Sequence, residues 1–221
     1  MLSGHAELVA LTLRVAVTAT LIALPLAVAV GYGLARFRFR GRTLLQSLIA
    51  LPMVLPPVAV GLFLLVLLGP EGPLGFLLEA LGIRIVFTWW AAALAAATVG
   101  FPLLVRSCEQ SFASIDADYE RVAKSLGVKR LRVFFGVTLP LARRGVVYGS
   151  LLCFTRGLGE FGATALVAGI IPGRTETLAL GIWSRVQLGD DSGALVLAGV
   201  SFVLALASML VAESWLSRSE S

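Results

Sequence analysis

The sequence predicts an all-α integral membrane protein of five transmembrane helices in a single domain, 1–221, and three observations carry that expectation. Of 221 residues, 58% are hydrophobic and 14% charged, with a mean hydropathy of +0.93; soluble domains lie nearer ~45–50% and ~25%. Residues 15–35, 43–70, 85–105 and 192–212 contain no Asp, Glu, Lys or Arg, and each is long enough for a crossing of about 20 residues. A fifth stretch, 145–169, is interrupted by Arg156 and Glu160 but is otherwise apolar. With interfacial ends included, the spans fall near 12–35, 44–68, 86–106, 145–169 and 192–215.

The basic residues set the expected orientation. The first loop carries Arg36, Arg38, Arg40 and Arg42; the third carries Arg106, Arg121, Lys124, Lys129, Arg130, Arg132, Arg143 and Arg144. The second and fourth hold only Arg84, Arg174 and Arg185, beside Glu71, Glu79, Glu176, Asp190 and Asp191. Odd loops therefore read as cytoplasmic, with the N-terminus outside and the C-terminus inside. The first span does not read as a cleaved signal peptide, because no Lys or Arg precedes Arg14 and the arginine cluster follows the apolar run. Arg14 reads as a snorkelling residue at the outer interface, and Trp89 and Trp90 as anchors at the outer edge of the third span.

The same counts exclude several functions. A net charge of +5 distributed between apolar runs argues against nucleic acid as a partner. His5 is the single histidine, and Cys108 and Cys153 form no Cys-x-x-Cys pair, so no metal site, cofactor or nucleophilic set is expected. Cys108 and Cys153 read as small buried hydrophobes. No Gly-x-x-x-x-Gly-Lys-Ser/Thr loop is present, so ATP hydrolysis would have to come from another chain.

The second span reads LPMVLPPVAVG, and Pro52, Pro56 and Pro57 remove three amide donors at hydrocarbon depth. Such backbone persists only beside protein or a water-lined cavity, so this helix is expected to face protein, as a kinked packing helix or as a pathway wall. In the fourth span, Arg156 and Glu160 are spaced i,i+4 and can pair. They read either as a structural ion pair or as a transient cationic contact at a gate, where Gly157, Gly159 and Gly162 permit close helix approach.

The third loop, about 107–143, is too patterned for a linker. Ile115, Tyr119, Val122 and Leu126 share one helical face. Asp116 can cap that helix, Asp118 and Glu120 suit its positive end, Glu120 and Lys124 form an i,i+4 pair, and Gly127 ends it. A second short basic-aromatic helix, 129–135 with Phe134 and Phe135, precedes Leu139-Pro140. The mixed charges favour docking into a protein cleft over rest on a lipid surface.

From Gly127 through nine residues to Val137-Thr138-Leu139-Pro140, this loop resembles that of bacterial binding-protein-dependent ABC importer permeases, whose pattern is Glu-Ala-Ala, three residues, Gly, nine residues, Ile, one residue, Leu-Pro. Ala123, Gly127, Leu139 and Pro140 agree, Val137 replaces Ile, and the pattern's Glu falls on Arg121 with Glu120 one place earlier. LPMVLPPVAVG, VFFGVTLPL and TRGLGEFGA are similar to the molybdate branch, with sulfate, thiosulfate and tungstate permeases sharing parts of the pattern.

The resemblance implies the type I ABC importer permease fold with a cytoplasmic coupling helix, in a bacterial inner membrane. It implies coupling through Glu120 or Arg121 with Ala123, Gly127, Leu139 and Pro140, and a gate or pathway near Pro52, Pro56, Pro57, Arg156, Gly159, Glu160, Phe161 and Gly162, close to the cytoplasmic side. The implied partners are two cytoplasmic ATP-binding subunits, an extracytoplasmic oxyanion-binding protein, a second copy of the chain and membrane lipid. A non-transporting membrane scaffold is the reading from another class; a secondary transporter would call for inverted repeats that the sequence does not display.

Overall fold

A computed structural model describes residues 2–217, and among these the regular structure is entirely helical. α1 (Leu2–Arg36), α5 (Trp89–Ala113) and α8 (Leu139–Leu158) form the central bundle. They meet through small residues: Ala16, Ala19, Ala23 and Ala27 of α1 are buried, as are Ala91, Ala92, Ala93, Ala95 and Ala96 of α5. Without a hydrophobic drive inside lipid, close backbone approach is what gains dispersion energy, and alanine and glycine permit it. A methyl added at Gly100 would lie 2.7 Å from Cys153 Sγ, and one at Gly31 only 2.6 Å from Cys108 Cβ. Both thiols are thus buried spacers between helices.

Among the described residues, α1, α5 and α11 (Asp191–Ser217) are long and apolar enough to cross a membrane by length and composition. α8 carries Arg143, Arg144 and Arg156, yet it runs beside the second half of α1. It starts just after Phe134, whose ring lies 5.0 Å from that of Tyr32 near the end of α1, and Gly157 near its own end sits beside Ala16, midway along that helix.

The second apolar stretch is not one straight crossing. α2 (Arg42–Val54) and α3 (Pro57–Leu68) are bent by 109° at Leu55-Pro56. Within the single chain the α3 half of this segment faces protein, with Val60 and Gly61 buried, whereas α2 has no buried residue and Leu44, Leu48, Met53 and Val54 are all exposed.

The fourth apolar stretch also differs from expectation. α8 stops at Leu158, and after Gly159-Glu160-Phe161 a separate short helix, α9 (Gly162–Val167), begins. α4 (Pro73–Ala80) lies between α3 and α5, and α10 (Leu178–Gln187) precedes α11. Thr12 ties α10 to α1, its hydroxyl donating to Leu8 O at 2.7 Å and accepting the Leu178 N–H at 2.8 Å.

The loop between α5 and α8 is shorter than the sequence indicates, since α5 continues to Ala113. It contains α6 (Ala117–Ser125) and α7 (Arg130–Val133), after which a π turn, Phe134–Thr138, leads without a break into α8. The expected free second helix is therefore the first turns of the fourth long helix. Pro140 sits in the first turn of α8, and the wider π spacing just before it lets the helix continue past a residue that has no N–H to give.

Candidate functional site

The loop 114–138 is built as its pattern indicates. Asp116 Oδ1 accepts the Asp118 N–H at 2.9 Å, satisfying one free amide at the start of α6. At the other end Gly127 has φ +80°, and the Val128 N–H reaches back to Ala123 O at 3.3 Å. Tyr119, Val122 and Leu126 are exposed along one face of α6, and Leu131 and Phe135 are exposed beyond the bend. This leaves an apolar knob at one end of the molecule. Lys124, whose pairing with Glu120 the spacing indicates, has a side chain outside the described residues.

Glu120 turns away from that knob. It is 5% exposed, its Oε1 lies 3.0 Å from Arg36 Nε and accepts the Thr138 hydroxyl at 3.1 Å, and its Oε2 accepts the Tyr32 hydroxyl at 3.4 Å. Arg36 Nη1 also donates to Ile115 O at 3.1 Å. One carboxylate thus joins α6 to the last turn of α1 and to the π turn before α8. Arg121 instead projects outward, 2.7 Å from Asp118. The Glu120 carboxylate thus faces inward while the Arg121 side chain is exposed.

A second acid, Glu109, does similar work nearby. Its carboxylate accepts Arg42 at 3.0 Å and Gln46 at 2.6 Å and lies 3.5 Å from Arg106. Neither cluster was legible as a site, because the partners come from separate helices. The only sequence signal for Glu109 is an acid at a helix end among basic loops.

The proline stretch and the glycine stretch are brought together. A methyl at Gly61 would lie 2.7 Å from the Ala163 backbone, and one at Gly162 would lie 2.9 Å from Pro57 Cβ. α3 and α9 therefore touch backbone to backbone. Arg156 Nη1 lies 2.9 Å from Glu160 Oε2, an ion pair by distance that is not aligned as a hydrogen bond, and Glu160 Oε1 accepts the Ala163 N–H at 3.0 Å. The Phe161 ring is 5.6 Å from that of Trp183 on α10. Gly159 has open space around it, and Pro52 lines an apolar hollow between α1, α2 and α5, away from this junction.

Arg156 and Glu160 lie well away from the loop 114–138 along the bundle. Gly157 packs against Ala16, 20 residues along α1 from Arg36, or roughly 30 Å at 1.5 Å per residue. The pair belongs to the Trp89 end of the bundle. There Arg14 lies over the Trp89 ring at 3.8 Å, and Trp89 stacks on Trp90 at 4.1 Å.

Residues 23–219 match the family described as "Binding-protein-dependent transport system inner membrane component". The chain is 44% identical over 180 residues to the molybdenum transport system permease protein ModB of Escherichia coli K12, covering 80% of this chain and 78% of that one. It is 38% identical to the sulfate transport system permease protein CysW of Synechococcus elongatus, over 79% of this chain and 63% of that one. The MetNI methionine ABC transporter in an inward-facing form has the same fold, with a TM-score of 0.63 at 15% identity, covering 97% of this chain and 95% of the solved one.

Proposed function

Because this chain belongs to the family of binding-protein-dependent transport system inner membrane components and has the type I ABC importer permease fold, we propose that it is the transmembrane permease subunit of an ATP-driven molybdate importer. It has no catalytic site of its own; two cytoplasmic ATP-binding subunits hydrolyse ATP, and an extracytoplasmic binding protein delivers the oxyanion. The chain lies in the bacterial inner membrane with five spans, the N-terminus outside and the C-terminus inside, as the arginine asymmetry favours.

The observation that carries this reading is the knob of Tyr119, Val122 and Leu126, held on a Gly127 bend and riveted to α1 through Glu120. It offers an apolar docking face whose motion must move the first long helix. The open faces of α2 and α3 support a second copy of the chain as partner. Carbonyls freed by Pro52, Pro56 and Pro57 are costly against lipid, and a homodimer would cover them with protein or with the aqueous pathway between the halves.

The choice of molybdate rests on the 44% identity to a molybdenum permease against 38% to a sulfate permease. Co-reconstituted in liposomes with its ATPase and molybdate-binding protein, the chain is expected to give ATP-dependent molybdate uptake that excess sulfate leaves largely intact. Uptake of sulfate instead would move it to the sulfate branch; uptake of neither would favour the scaffold reading.

Gly127→Val places a β-branched residue at φ +80°, at a cost of about 1 kcal/mol or more. Nothing lies within 4 Å of the new Cβ position, so the bundle is expected to fold normally. Co-purification of the ATPase and transport-coupled hydrolysis should fall together. Normal values of both would detach the bend from coupling.

A further inference from the structure

Where α1 ends against α6 and α7, a cavity of about 310 Å³ is lined among others by Tyr32, Arg36, Phe37, Glu120, Arg121 and Arg130. Its charges do not balance. Glu120 is matched by Arg36 at 3.0 Å, and Arg121 lies 2.7 Å from Asp118, an acid outside the lining. Arg130 is left over. It is exposed at the start of α7, and among the described residues its side chain has no ion-pair or hydrogen-bond partner.

Arg36 has a donor to spare as well. Its Nε donates to Glu120 at 3.0 Å and its Nη1 to Ile115 O at 3.1 Å, whereas its Nη2 is buried with no acceptor among the described residues. A buried guanidinium N–H without an acceptor is costly, and an anionic oxygen is the acceptor that offsets most of that cost.

The surroundings narrow the choice of anion. One surplus positive charge matches a phosphodiester, which carries a single negative charge, better than a tetrahedral dianion, which carries two. The cavity lies where the charge-free run 15–35 gives way to Arg36, Arg38, Arg40 and Arg42, and the rings of Phe37 and Phe39 are exposed there. Arginines and exposed rings at the end of a long apolar helix mark the membrane surface. Phe37 gives the cavity an apolar wall beside its basic floor, which suits a headgroup joined to acyl chains. The α6 residues in the lining, Ala117, Glu120 and Arg121, follow the i, i+3, i+4 spacing of one face, and Tyr119, Val122 and Leu126 lie on the other. A protein docked on the apolar knob therefore leaves the cavity open.

We propose that this cavity binds the phosphodiester of an anionic phospholipid, held by Arg130 and Arg36. A headgroup that carries an ammonium would bring a cation against the surplus arginine and binds less well. Basic pockets between helices at the membrane surface recognise anionic headgroups in this way. The site goes beyond the importer reading and does not depend on it, since it needs only that the end of α1 reach the membrane surface.

The test is lipid retention by the purified full chain in detergent, read by native mass spectrometry after addition of phosphatidylglycerol, phosphatidylethanolamine or inorganic phosphate. Arg130→Gln removes the surplus cation from an exposed position. Ala117→Asp sets a competing carboxylate in the lining, in the first turn of α6 where an acid suits the helix, and remains informative should the first variant fold poorly. Arg38→Gln removes an arginine outside the lining. Wild type and Arg38→Gln are expected to retain phosphatidylglycerol in preference to phosphatidylethanolamine, and the other two variants to retain about fivefold less or below, the worth of one basic residue at an anionic lipid surface. Undiminished retention in folded Arg130→Gln or Ala117→Asp, an equal loss in Arg38→Gln, or no preference for phosphatidylglycerol over the ethanolamine lipid or inorganic phosphate overturns the site. Each of these leaves the importer reading standing, because molybdate uptake is measured separately.

Discussion

Arg36→Met is expected to abolish substrate-stimulated ATP hydrolysis while leaving the long helices folded. The guanidinium satisfies Glu120 at 3.0 Å and Ile115 O at 3.1 Å, and Glu120 in turn holds Tyr32 and Thr138. Removing one partner strands a carboxylate in a nearly closed site, a loss of about 3 kcal/mol or more for a broken buried pair. The loss is local, because α1, α5 and α8 pack through Ala and Gly contacts that Arg36 does not share. α6 would come loose from α1, so ATPase motion would no longer reach the first long helix. Arg121→Met is the matched control: its pair with Asp118 is solvent-exposed and is worth about 0.5 kcal/mol, so stability should be unchanged. Thermal unfolding together with stimulated hydrolysis reads both variants. Full stimulation in Arg36→Met would remove the Glu120 link from the coupling path.

What the sequence made legible was local. Asp116, the exposed stripe of Tyr119, Val122 and Leu126, and the Gly127 bend lie within a dozen residues, and each follows from period, capping and φ alone. The Glu120 cluster was not legible, because Arg36 and Tyr32 lie 84 and 88 residues away and carry no periodic signal. Three prolines announced a break in the second apolar stretch but not its 109° angle. That angle accompanies the close approach of Gly61 to Ala163 and of Gly162 to Pro57, contacts between segments a hundred residues apart. The fourth stretch looked continuous because apolar residues flank Gly159-Glu160-Phe161 on both sides, whereas α8 stops at Leu158 and Glu160 accepts the Ala163 N–H at the start of α9.

That cap changes how Arg156 and Glu160 must be tested. The Arg156 side chain is 34% exposed and the Glu160 side chain 2%, so the two charges are not equally costly when left alone. Arg156→Met leaves a buried carboxylate and is expected to lower folded yield through a penalty of about 2–3 kcal/mol. Glu160→Met would remove both the charge and the acceptor of the Ala163 N–H, mixing two effects. Glu160→Gln keeps that acceptor and leaves only an arginine that can reach toward water, so its yield should fall less. The double variant, Arg156→Met with Glu160→Gln, strands no charge and should recover yield. If Arg156 only anchors α8 to the junction with α9, molybdate uptake recovers with it. If the guanidinium offers the passing oxyanion a transient cation at the Trp89 end of the pathway, uptake per folded complex stays low in the double variant while Glu160→Gln alone retains it. Yield and uptake measured on these three variants separate the two roles, because a structural tie moves both quantities together and a pathway contact moves only the second.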